Sequence, residues 1–443
     1  MNQNKKHSNK DKRKQLQPQH LRLLFWALGR RLPAGLSMLE DYLQFPHLEG
    51  KRAHLGVSGS IAAYKALELL RLLKRLKLRA GATLTAAAQE FIQPLSFSAL
   101  GAEPVFSSMF KPGGDIYAHL APGQEAQALL VIPATANTLA KMAWGLADDM
   151  LSCQVLSFPG PVLAAPAMNP NLWLAPATQD NVARLRSREL EILEPDCGEV
   201  ACQDQGQGRL PELEEILFCL LKALTPARLA GRRIMITMGP TREFWDPVRF
   251  WSNPSSGRMG AALAIAAWIQ GAEVHCVSGP HQEFLPRGIK QHKVQTAEHM
   301  LQACLGLWPD MHLGCLTAAV CDFKPRAYGQ HKFKKASLQQ EPLYIEFSHN
   351  PDILLSLGQH KTDSQRLIGF AAETGSDLEA LAREKLHKKN LDLIVANQID
   401  SPDSGFACAT NRALILDRQQ AWELPLLSKG ELAWRIWQRI TEL

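Results

Sequence analysis

The chain has 443 residues, of which 46% are hydrophobic and 21% charged, as in an ordinary globular protein. This length exceeds what one hydrophobic core usually serves, so the sequence predicts two domains. It contains no apolar run long enough to span a membrane, and its nine scattered cysteines form no Cys-X-X-Cys pair. These features argue against a membrane protein, a disulfide scaffold and a zinc site, and they favour a reducing cytoplasm.

The net charge of +6 originates in the N-terminal tail. Residues 1–22 contain seven Lys or Arg and one acidic residue, whereas the rest of the chain has 42 residues of each sign. We interpret residues 1–48 as a basic extension that is disordered or partly helical, because its basic part has no apolar pattern. The tail could contact nucleic acid or an anionic surface, but a solvated tail is the favoured interpretation.

Two segments share a plan of strand, Gly/Ser loop, amphipathic helix, Gly-Ala turn and strand. The first runs through HLGV, SGSIAAYKALELLRLLKRL and GATLTAA, and the second through RRIMITMG, SSGRMGAALAIAAWIQ and GAEVHCVSG. Each is typical of a βαβ unit, in which two parallel strands are covered by a helix. The sequence therefore predicts an α/β fold with two doubly wound, Rossmann-like parallel sheets. They occupy residues 49–226 and 227–443, and they divide at the Pro- and Gly-interrupted stretch Thr225–Gly231.

Five further apolar runs have the length of buried strands: ALLVIPA, PVLAAPAM, GCLTAAV, RLIGFAAE and LDLIVAN. In open α/β sheets, ligands bind beyond the carboxyl ends of the strands. Polar residues after these runs are therefore candidate site residues. Asn137 and Asn169 both follow inner strands, although an asparagine in such a place is also a common helix cap.

The turn GVSGSIAAYK, Gly56–Lys65, leads from a strand into a helix. Backbone N–H groups at that helix N-terminus could cradle a phosphate. The turn lacks the GxGxxG pattern, which argues against a standard dinucleotide site.

In chain order, SGSIAAYK, PATANTLAKMAWGLADD, PAMNPNLW and ACQDQGQGRL resemble the flavin-dependent cysteine decarboxylases. The likeness is to the phosphopantothenoylcysteine decarboxylase half of the bifunctional coenzyme A enzymes, and it covers about residues 51–215. It implies the same type of fold and bound FMN. The residues that it places at the cofactor are Ser58, Gly59, Ser60, Thr85, Ala134, Thr135, Ala136 and Asn137.

The same resemblance implies three catalytic residues. His119 matches the catalytic histidine, Asn169 the residue that holds the substrate carboxylate, and Cys202 the proton donor on a mobile loop. Oxidation of the substrate thiol makes loss of CO₂ easy, and a loop thiol can then reprotonate the enethiol while it keeps water out. Cys197 is the rival thiol on this loop, and Pro122, close to His119, departs from the family pattern.

The second βαβ unit contains a long hydrophilic loop, GPTREFWDPVRFWSNPSSGRMG. Its turn Asn253–Gly257 presents N–H and hydroxyl donors, and three arginines, among them Arg249, could neutralise a polyphosphate. Asp322 follows a buried strand, and a basic cluster that includes Lys332 begins ten residues later. We interpret this arrangement as a nucleotide site with a basic flap rather than as a solvated charged face.

In family order, GPTRE, SNPSSGRMG, AAVCDF, KFKK, NPDIL, GFAAET and KKNLDLIVAN resemble the phosphopantothenate–cysteine ligase half of the same enzymes, over about residues 231–440. The resemblance implies CTP and Mg²⁺, with the metal held mainly by the CTP phosphates. It implies that Arg249 and Asn253 bind the phosphopantothenate carboxylate and its acyl-cytidylate, and that Asn253 and Lys332 are catalytic, Lys332 on a flap from a neighbouring subunit. The implied CTP contacts are Ala318, Ala319, Val320, Asp322, Lys332, Pro351, Asp352, Ile353, Leu354, Phe370, Lys385 and Lys389.

These motifs predict two consecutive steps of coenzyme A biosynthesis. CTP drives the ligation of 4'-phosphopantothenate to L-cysteine, and an FMN-dependent step then decarboxylates the product to 4'-phosphopantetheine. The resemblance also implies homo-oligomers, with ligase-domain dimers and decarboxylase-domain trimers. Two alternatives stay open: a flavin-dependent nicotinamide reductase, and a non-catalytic nucleotide- or RNA-binding protein that uses the basic tail.

Overall fold

The structure is a computed structural model that describes residues 43–110, 116–199, 203–334, 343–373, 377–398 and 408–442. The basic tail and the predicted proton donor Cys202 lie outside these ranges. Among the residues described, no helix has the length and apolar character needed to cross a membrane.

The N-terminal half contains a six-stranded parallel sheet and a separate hairpin. Its strands are β1 Arg52–Val57, β2 Arg79–Leu84, β3 Val105–Phe106, β4 Ala128–Ala134, β5 Val162–Pro166, β6 Glu191–Ile192, β7 Asp196–Glu199 and β8 Gln205–Arg209. Its helices are α1 Tyr64–Arg75, α2 Ala86–Gln89, α3 Pro94–Ala99, α4 Ala121–Glu125, α5 Ala136–Trp144, α6 Met150–Ser157, α7 Pro170–Leu174, α8 Pro176–Ser187 and α9 Leu213–Ala223.

The strand order of this sheet creates a crevice at its centre. The order is β3-β2-β1-β4-β5-β6, and every pairing is parallel. The winding therefore reverses between β1 and β4, and such a switch point opens a crevice at the carboxyl ends of the two strands. This arrangement confirms the predicted doubly wound sheet.

Strand β4 and helix α5 show why the crevice forms where it does. Every residue of β4 is buried, as expected for a central parallel strand that is covered on both faces. Thr135 then caps α5 by accepting a hydrogen bond from the Thr138 N–H, and Gly145 ends the helix in the left-handed region at φ 68°. The polar cap stands at the carboxyl end of the strand, facing the crevice.

The C-terminal half contains an eight-stranded sheet and two short hairpins. Its strands are β9 Arg233–Met238, β10 Arg242–Phe244, β11 Phe250–Ser252, β12 Glu273–Ser278, β13 Lys290–Lys293, β14 Leu313–Leu316, β15 Phe323–Pro325, β16 Phe347–His349, β17 Arg366–Glu373, β18 Leu393–Gln398, β19 Thr410–Leu416 and β20 Ala421–Ser428. Its helices are α10 Arg258–Ile269, α11 Ala297–Leu307, α12 Ile353–Gln359, α13 Leu378–Lys388 and α14 Lys429–Ile440.

The order of the large sheet is β13-β12-β9-β14-β17-β18-β19-β20, so a second switch point lies between β9 and β14. The first six strands are parallel, but β19 runs antiparallel to both of its neighbours, β18 and β20, unlike the predicted arrangement. The pairing of β19 with β20 follows from a tight turn between them, in which the Asp417 carboxylate accepts hydrogen bonds from the N–H groups of Gln419 and Gln420, both at 2.7 Å. A short turn can join only antiparallel neighbours.

Residues 43–48, the last part of the predicted extension, lie within the described ranges. Phe45 and Leu48 are buried, and the His47 ring stacks on Trp434 of α14 with ring centroids 3.3 Å apart. These six residues, which we call the N-terminal strap, therefore belong to the folded protein. The remainder of the predicted extension lies outside the described ranges.

Candidate active sites

A cavity of about 630 Å³ opens at the carboxyl ends of β1, β2 and β4. Its size lies within the roughly 300–1,000 Å³ of small-molecule sites. Six of the residues predicted to bind the flavin line it, namely Gly59, Ser60, Thr85, Thr135, Ala136 and Asn137. The fold thus gathers residues from three separate motifs around one cavity.

The lining suits a flavin nucleotide. A Cβ atom on Gly59 would lie only 2.5 Å from the Cβ of Ala87, so the turn after β1 requires glycine. The Ser60 hydroxyl caps the short turn that follows by accepting from the Ala62 N–H at 3.3 Å. Hydroxyl groups near a helix N-terminus suit a phosphate, and small apolar residues such as Ala86 leave room for a flat ring.

Ser58 and Ala134, also predicted at the cofactor, are buried and are not among the cavity-lining residues. The Ser58 hydroxyl donates to the Pro133 carbonyl at 2.7 Å and accepts from the Thr135 N–H at 3.0 Å. Because these bonds tie the end of β1 to the end of β4, Ser58 holds the two sides of the crevice together.

Asn169 lies beside the cavity, after the lining residue Met168. Its side chain caps α7 by accepting from the Asn171 N–H at 2.8 Å, and its amide donates to the Asp204 carboxylate. The helix-cap interpretation of Asn169 is therefore confirmed. Its amide group is at the same time held by the β7–β8 hairpin.

The other two predicted decarboxylase residues have different settings. His119 is half-buried in the turn before α4 and is not among the residues that line the cavity. Pro122 sits in the first turn of α4, where a proline is tolerated because that N–H has no helical partner. Cys197 is exposed on β7. Cys202, the predicted proton donor, lies outside the described ranges.

A second cleft lies at the switch point between β9 and β14. Ser255, Ser256 and Gly257 bring backbone N–H groups and hydroxyls to it at the N-terminus of α10. Gly257 has φ +84°, which a residue with a side chain rarely adopts. Three predicted CTP residues line the same cleft, namely Ala318, Ala319 and Phe370.

Asn253 joins the two strand ends of this cleft. Its amide donates to the carbonyls of Ala319 at 3.4 Å and Val320 at 3.1 Å. Ala319 in turn donates its N–H to the Gly239 carbonyl at 3.0 Å. Asn253 is therefore fixed against the predicted CTP segment.

Arg249 is held next to the predicted flap. Its guanidinium donates to the Asp246 carboxylate at 2.6 Å and to the Phe333 carbonyl at 3.3 Å, while the Phe333 N–H donates to Asp246 at 3.1 Å. Burial would raise the pKa of Asp246, but backbone N–H donors and Arg249 lower it below its usual value. The buried carboxylate thereby links Arg249 to the segment that carries the exposed Lys332.

Seven other predicted CTP residues are not among the residues that line this cleft. Asn350 donates its N–H to the Asp322 carbonyl at 2.8 Å, so the segment before Pro351 lies against the end of the 318–322 segment. Asp352 caps α12 through the Leu355 N–H at 2.9 Å and forms a 2.8 Å ion pair with Lys389. The predicted residues of this group are Asp322, Pro351, Asp352, Ile353, Leu354, Lys385 and Lys389.

Two family models together match almost the whole described chain. The flavoprotein family matches residues 44–225, and the C-terminal domain family of DNA/pantothenate metabolism flavoproteins matches residues 229–443. The chain is 39% identical over 397 residues to the coenzyme A biosynthesis bifunctional protein CoaBC of Vibrio vulnificus, covering 89% of this chain and 98% of that protein. It is 40% identical over 402 residues to the CoaBC protein of Bacillus subtilis, covering 89% and 98%. A crystal structure of the C-terminal domain of a CoaBC protein is 39% identical, covers 49% of this chain and 97% of its own, and superposes with a TM-score of 0.41.

The chain belongs to the family of bifunctional coenzyme A biosynthesis proteins. This membership confirms the predicted function, which is two consecutive steps of coenzyme A biosynthesis, a ligation and then a decarboxylation by one bifunctional enzyme. It does not favour a nicotinamide reductase or a non-catalytic binding protein. The flavoprotein match also supports the predicted FMN.

Sequence reasoning missed two lysines of this family member. Lys141 lines the first cavity, and 2.7 Å ion pairs with Asp148 and Asp149 raise its pKa. Lys429, the first residue of α14, lines the ligase cleft and is only 4% exposed. Burial lowers the pKa of Lys429 to about 8; the neighbouring thiol of Cys408 opposes this shift and Arg258 adds to it.

A signal for Lys429 does exist in the sequence. A lysine directly after the capping residue Ser428 faces the positive end of the helix dipole, where an acidic residue is favoured. A cation in such a position indicates that some other interaction requires it.

Proposed function

We propose that residues 49–226 decarboxylate 4'-phosphopantothenoylcysteine with FMN. We further propose that residues 227–443 join 4'-phosphopantothenate to L-cysteine with CTP and Mg²⁺. One observation carries the proposal: two separate doubly wound sheets each have a cleft at their switch point, with different linings. The first is lined by hydroxyl groups and small residues, and the second by a helix N-terminus, two serines and a buried lysine.

In the decarboxylase half, Gly59, Ser60, Thr85 and Thr135 would hold the flavin at the cavity wall. When bound, the flavin supplies a two-electron oxidation of the substrate thiol, which eases the loss of CO₂. Asn169, oriented by its hydrogen bond to Asp204, would hold the substrate carboxylate through its amide.

Two further residues would handle protons in this half. His119 would serve as the catalytic histidine. Cys202 would donate the proton that completes the product, because its thiol is a stronger acid than a hydroxyl group. Both assignments stand on their motifs.

In the ligase half, a carboxylate must first become a better electrophile. A carboxylate oxygen of phosphopantothenate attacks the α-phosphorus of CTP, which forms an acyl-cytidylate and releases pyrophosphate. The amine of cysteine then attacks the acyl carbon, an amide bond forms, a proton is lost and CMP departs. Lysines and N–H groups can stabilise the negative charge that develops on the phosphates in the first step.

The ligase residues divide this work by position. The N–H groups at Ser256 and Gly257 and the buried Lys429 would bind the phosphates in the cleft. Arg249, held by Asp246, would orient the carboxylate, and Asn253 would bind the acyl-cytidylate. Lys332 would neutralise charge in the transition state.

The metal is assigned to the nucleotide. Within the described ranges no three His, Cys, Asp or Glu side chains are grouped so that they could hold a metal ion. We therefore propose that Mg²⁺ binds mainly to the CTP phosphates. The cytoplasmic location and the homo-oligomer with ligase dimers and decarboxylase trimers also remain predictions.

The full-length protein provides a direct test. We expect the purified protein to absorb as a flavoprotein and to release labelled CO₂ from carboxyl-labelled cysteine only when both phosphopantothenate and CTP are present. Preformed phosphopantothenoylcysteine should release CO₂ without CTP. A folded protein without flavin, or CO₂ release from cysteine that needs no CTP, would contradict the proposal.

A further inference from the structure

The two halves of the chain meet beside the decarboxylase hairpin. The loop between β12 and β13 of the ligase half packs on α9, where the rings of Phe284 and Phe218 stack with centroids 6.0 Å apart. Arg287 follows in the same loop, and its backbone N–H donates to both carboxylate oxygens of Glu215, at 3.1 and 3.3 Å. Glu215 is buried on α9, so this contact fixes the Arg287 backbone against the N-terminal half.

From this fixed backbone, the Arg287 side chain reaches the base of the β7–β8 hairpin. Its guanidinium donates to the Glu194 carbonyl at 3.1 Å and forms an ion pair with Asp196, the first residue of β7. The Asp196 side chain is only 11% exposed, although that of Arg287 is 51% exposed. Two donors of one planar guanidinium therefore hold two acceptors at the hairpin base, one on each side of Pro195.

The other strand of the hairpin contacts the loop that carries Asn169. The Gly208 carbonyl accepts a hydrogen bond from the Met168 N–H at 2.9 Å, and a Cβ on Gly208 would lie 2.3 Å from the Met168 carbonyl oxygen. Asp204, just before β8, accepts from the Asn169 amide. Met168 itself lines the flavin cavity.

A two-stranded, glycine-rich hairpin has little stability of its own. Its position depends on what holds its base and its outer strand. Here Arg287 of the ligase half holds the base of β7, and β8 touches Met168 and Asn169 of the decarboxylase half. We propose that Arg287 is a positioning residue for the decarboxylase, through which the ligase half fixes the hairpin against the substrate loop.

The proposal rests on the decarboxylation assigned above to the N-terminal half, and it competes with a plainer interpretation. A half-exposed ion pair often contributes only about 0–1 kcal/mol to stability and need not affect activity. The two interpretations differ in what the loss of Arg287 changes. If Arg287 positions the hairpin, its loss should slow decarboxylation alone and should make the hairpin less ordered. If the contact is merely structural, its loss should slow neither reaction selectively.

The test uses the full-length protein with Arg287→Ala, Arg287→Lys and Arg326→Ala. Arg326 also forms an ion pair, with Glu346, but both side chains are mostly exposed and lie away from the hairpin, so Arg326→Ala is a matched control. With preformed phosphopantothenoylcysteine, we expect Arg287→Ala to lower kcat/KM by about five- to tenfold, the scale of one charge-assisted contact. Arg287→Lys should restore part of this loss, and ligase turnover should stay within about twofold of the parent in all three variants.

Amide hydrogen exchange of residues 196–199 and 205–209 gives a second readout that needs no activity. Exchange in this hairpin should speed up in Arg287→Ala and not in Arg326→Ala. Unchanged decarboxylation with unchanged exchange, or an equal loss of both activities, overturns the proposal. If the parent protein does not decarboxylate, the function proposed above fails, and the exchange rates alone then decide whether Arg287 orders the hairpin.

Discussion

At the scale of single residues, Lys332 and Lys429 of the ligase half have opposite surroundings. Lys332 is exposed beside Phe333, whose backbone contacts both Arg249 and Asp246. Lys429 is buried in the cleft wall and its pKa is lowered to about 8. A buried cation next to a bound triphosphate regains charge stabilisation, so nucleotide binding should raise the pKa of Lys429.

Lys429→Met is expected to weaken CTP binding by about tenfold at pH 7, the scale of one charge-assisted contact. In the parent protein, CTP affinity should fall as the pH rises through 8, because the free protein then loses the Lys429 proton that binding must restore. Calorimetry in two buffers of different ionisation enthalpy should detect this proton uptake.

The variants separate binding from turnover. Lys429→Met should lose the pH dependence of binding, because it removes the group that takes up the proton. Lys332→Gln should keep the pH dependence and most of the CTP affinity but lower turnover, as expected for a group that acts mainly in the transition state. Equal proton uptake in the parent and in Lys429→Met would rule out this role for Lys429.

Cys202→Ser is expected to separate CO₂ loss from completion of the product. A serine hydroxyl is a much weaker acid than a thiol with a pKa of ~8.5, so the proton-donating step should stall. Labelled substrate should release about one CO₂ per flavin, and the flavin should stay reduced, which absorbance would show. Cys197→Ser is the control and should behave like the parent.

At the scale of structural elements, the N-terminal strap, residues 43–48, packs against the C-terminal helix α14. His47 stacks on Trp434, and neither of its ring nitrogens has a hydrogen-bond partner within the described part of the chain. Burial, with the nearby charges of Arg228 and Lys51, lowers the pKa of His47 to about 4. The strap therefore favours a neutral histidine.

The strap should make the free energy of unfolding depend on pH. The unfolded chain protonates His47 at its ordinary pKa of 6.5, whereas the folded chain resists protonation down to about 4. Stability from this group is thus complete above pH 7 and falls as the pH drops from 6.5 to 4, by at most about 3 kcal/mol. Denaturant unfolding at several pH values should show a shallower fall for His47→Gln than for the parent. Exposed His299→Gln is the control and should keep the parent slope.

At the scale of the whole molecule, each half has its own sheet and its own cleft, but the halves share contacts through α9 and the Arg287 loop. The described residues that line the first cavity all lie between Gly59 and Leu172. We therefore expect the N-terminal half to hold the cofactor.

A fragment of residues 49–226 should consequently stay yellow and decarboxylate preformed phosphopantothenoylcysteine. Because the fragment lacks Arg287, we expect it to turn over more slowly than the full chain, and because α9 loses its cover, we expect lower stability. Absorbance at flavin wavelengths would measure the bound flavin, and single-turnover CO₂ release would measure the rate of decarboxylation. A folded but colourless fragment would contradict the assignment of the cofactor to this half.

Local pattern was sufficient for the elements and for the choice of motifs. The apolar runs ALLVIPA and RLIGFAAE coincide with β4 and β17. Strand β4 is buried at every residue, and a strand that is covered on both faces needs apolar residues throughout. The turn residues after β1, β4 and β9 marked the clefts, because strand ends and helix starts require particular residues. The resemblance of these motifs to a family then supplied the chemistry.

Only the tertiary structure decided which distant segments meet. The antiparallel pairing of β19, the contact of the strap with Trp434 and the placement of Lys429 in the cleft wall all join residues far apart in the chain. Arg287 and Asp196 are 91 positions apart, and nothing in either local sequence indicates the other. Periodicity reports which face of an element is buried, but the identity of the partner depends on strand order and domain packing, which are properties of the whole chain.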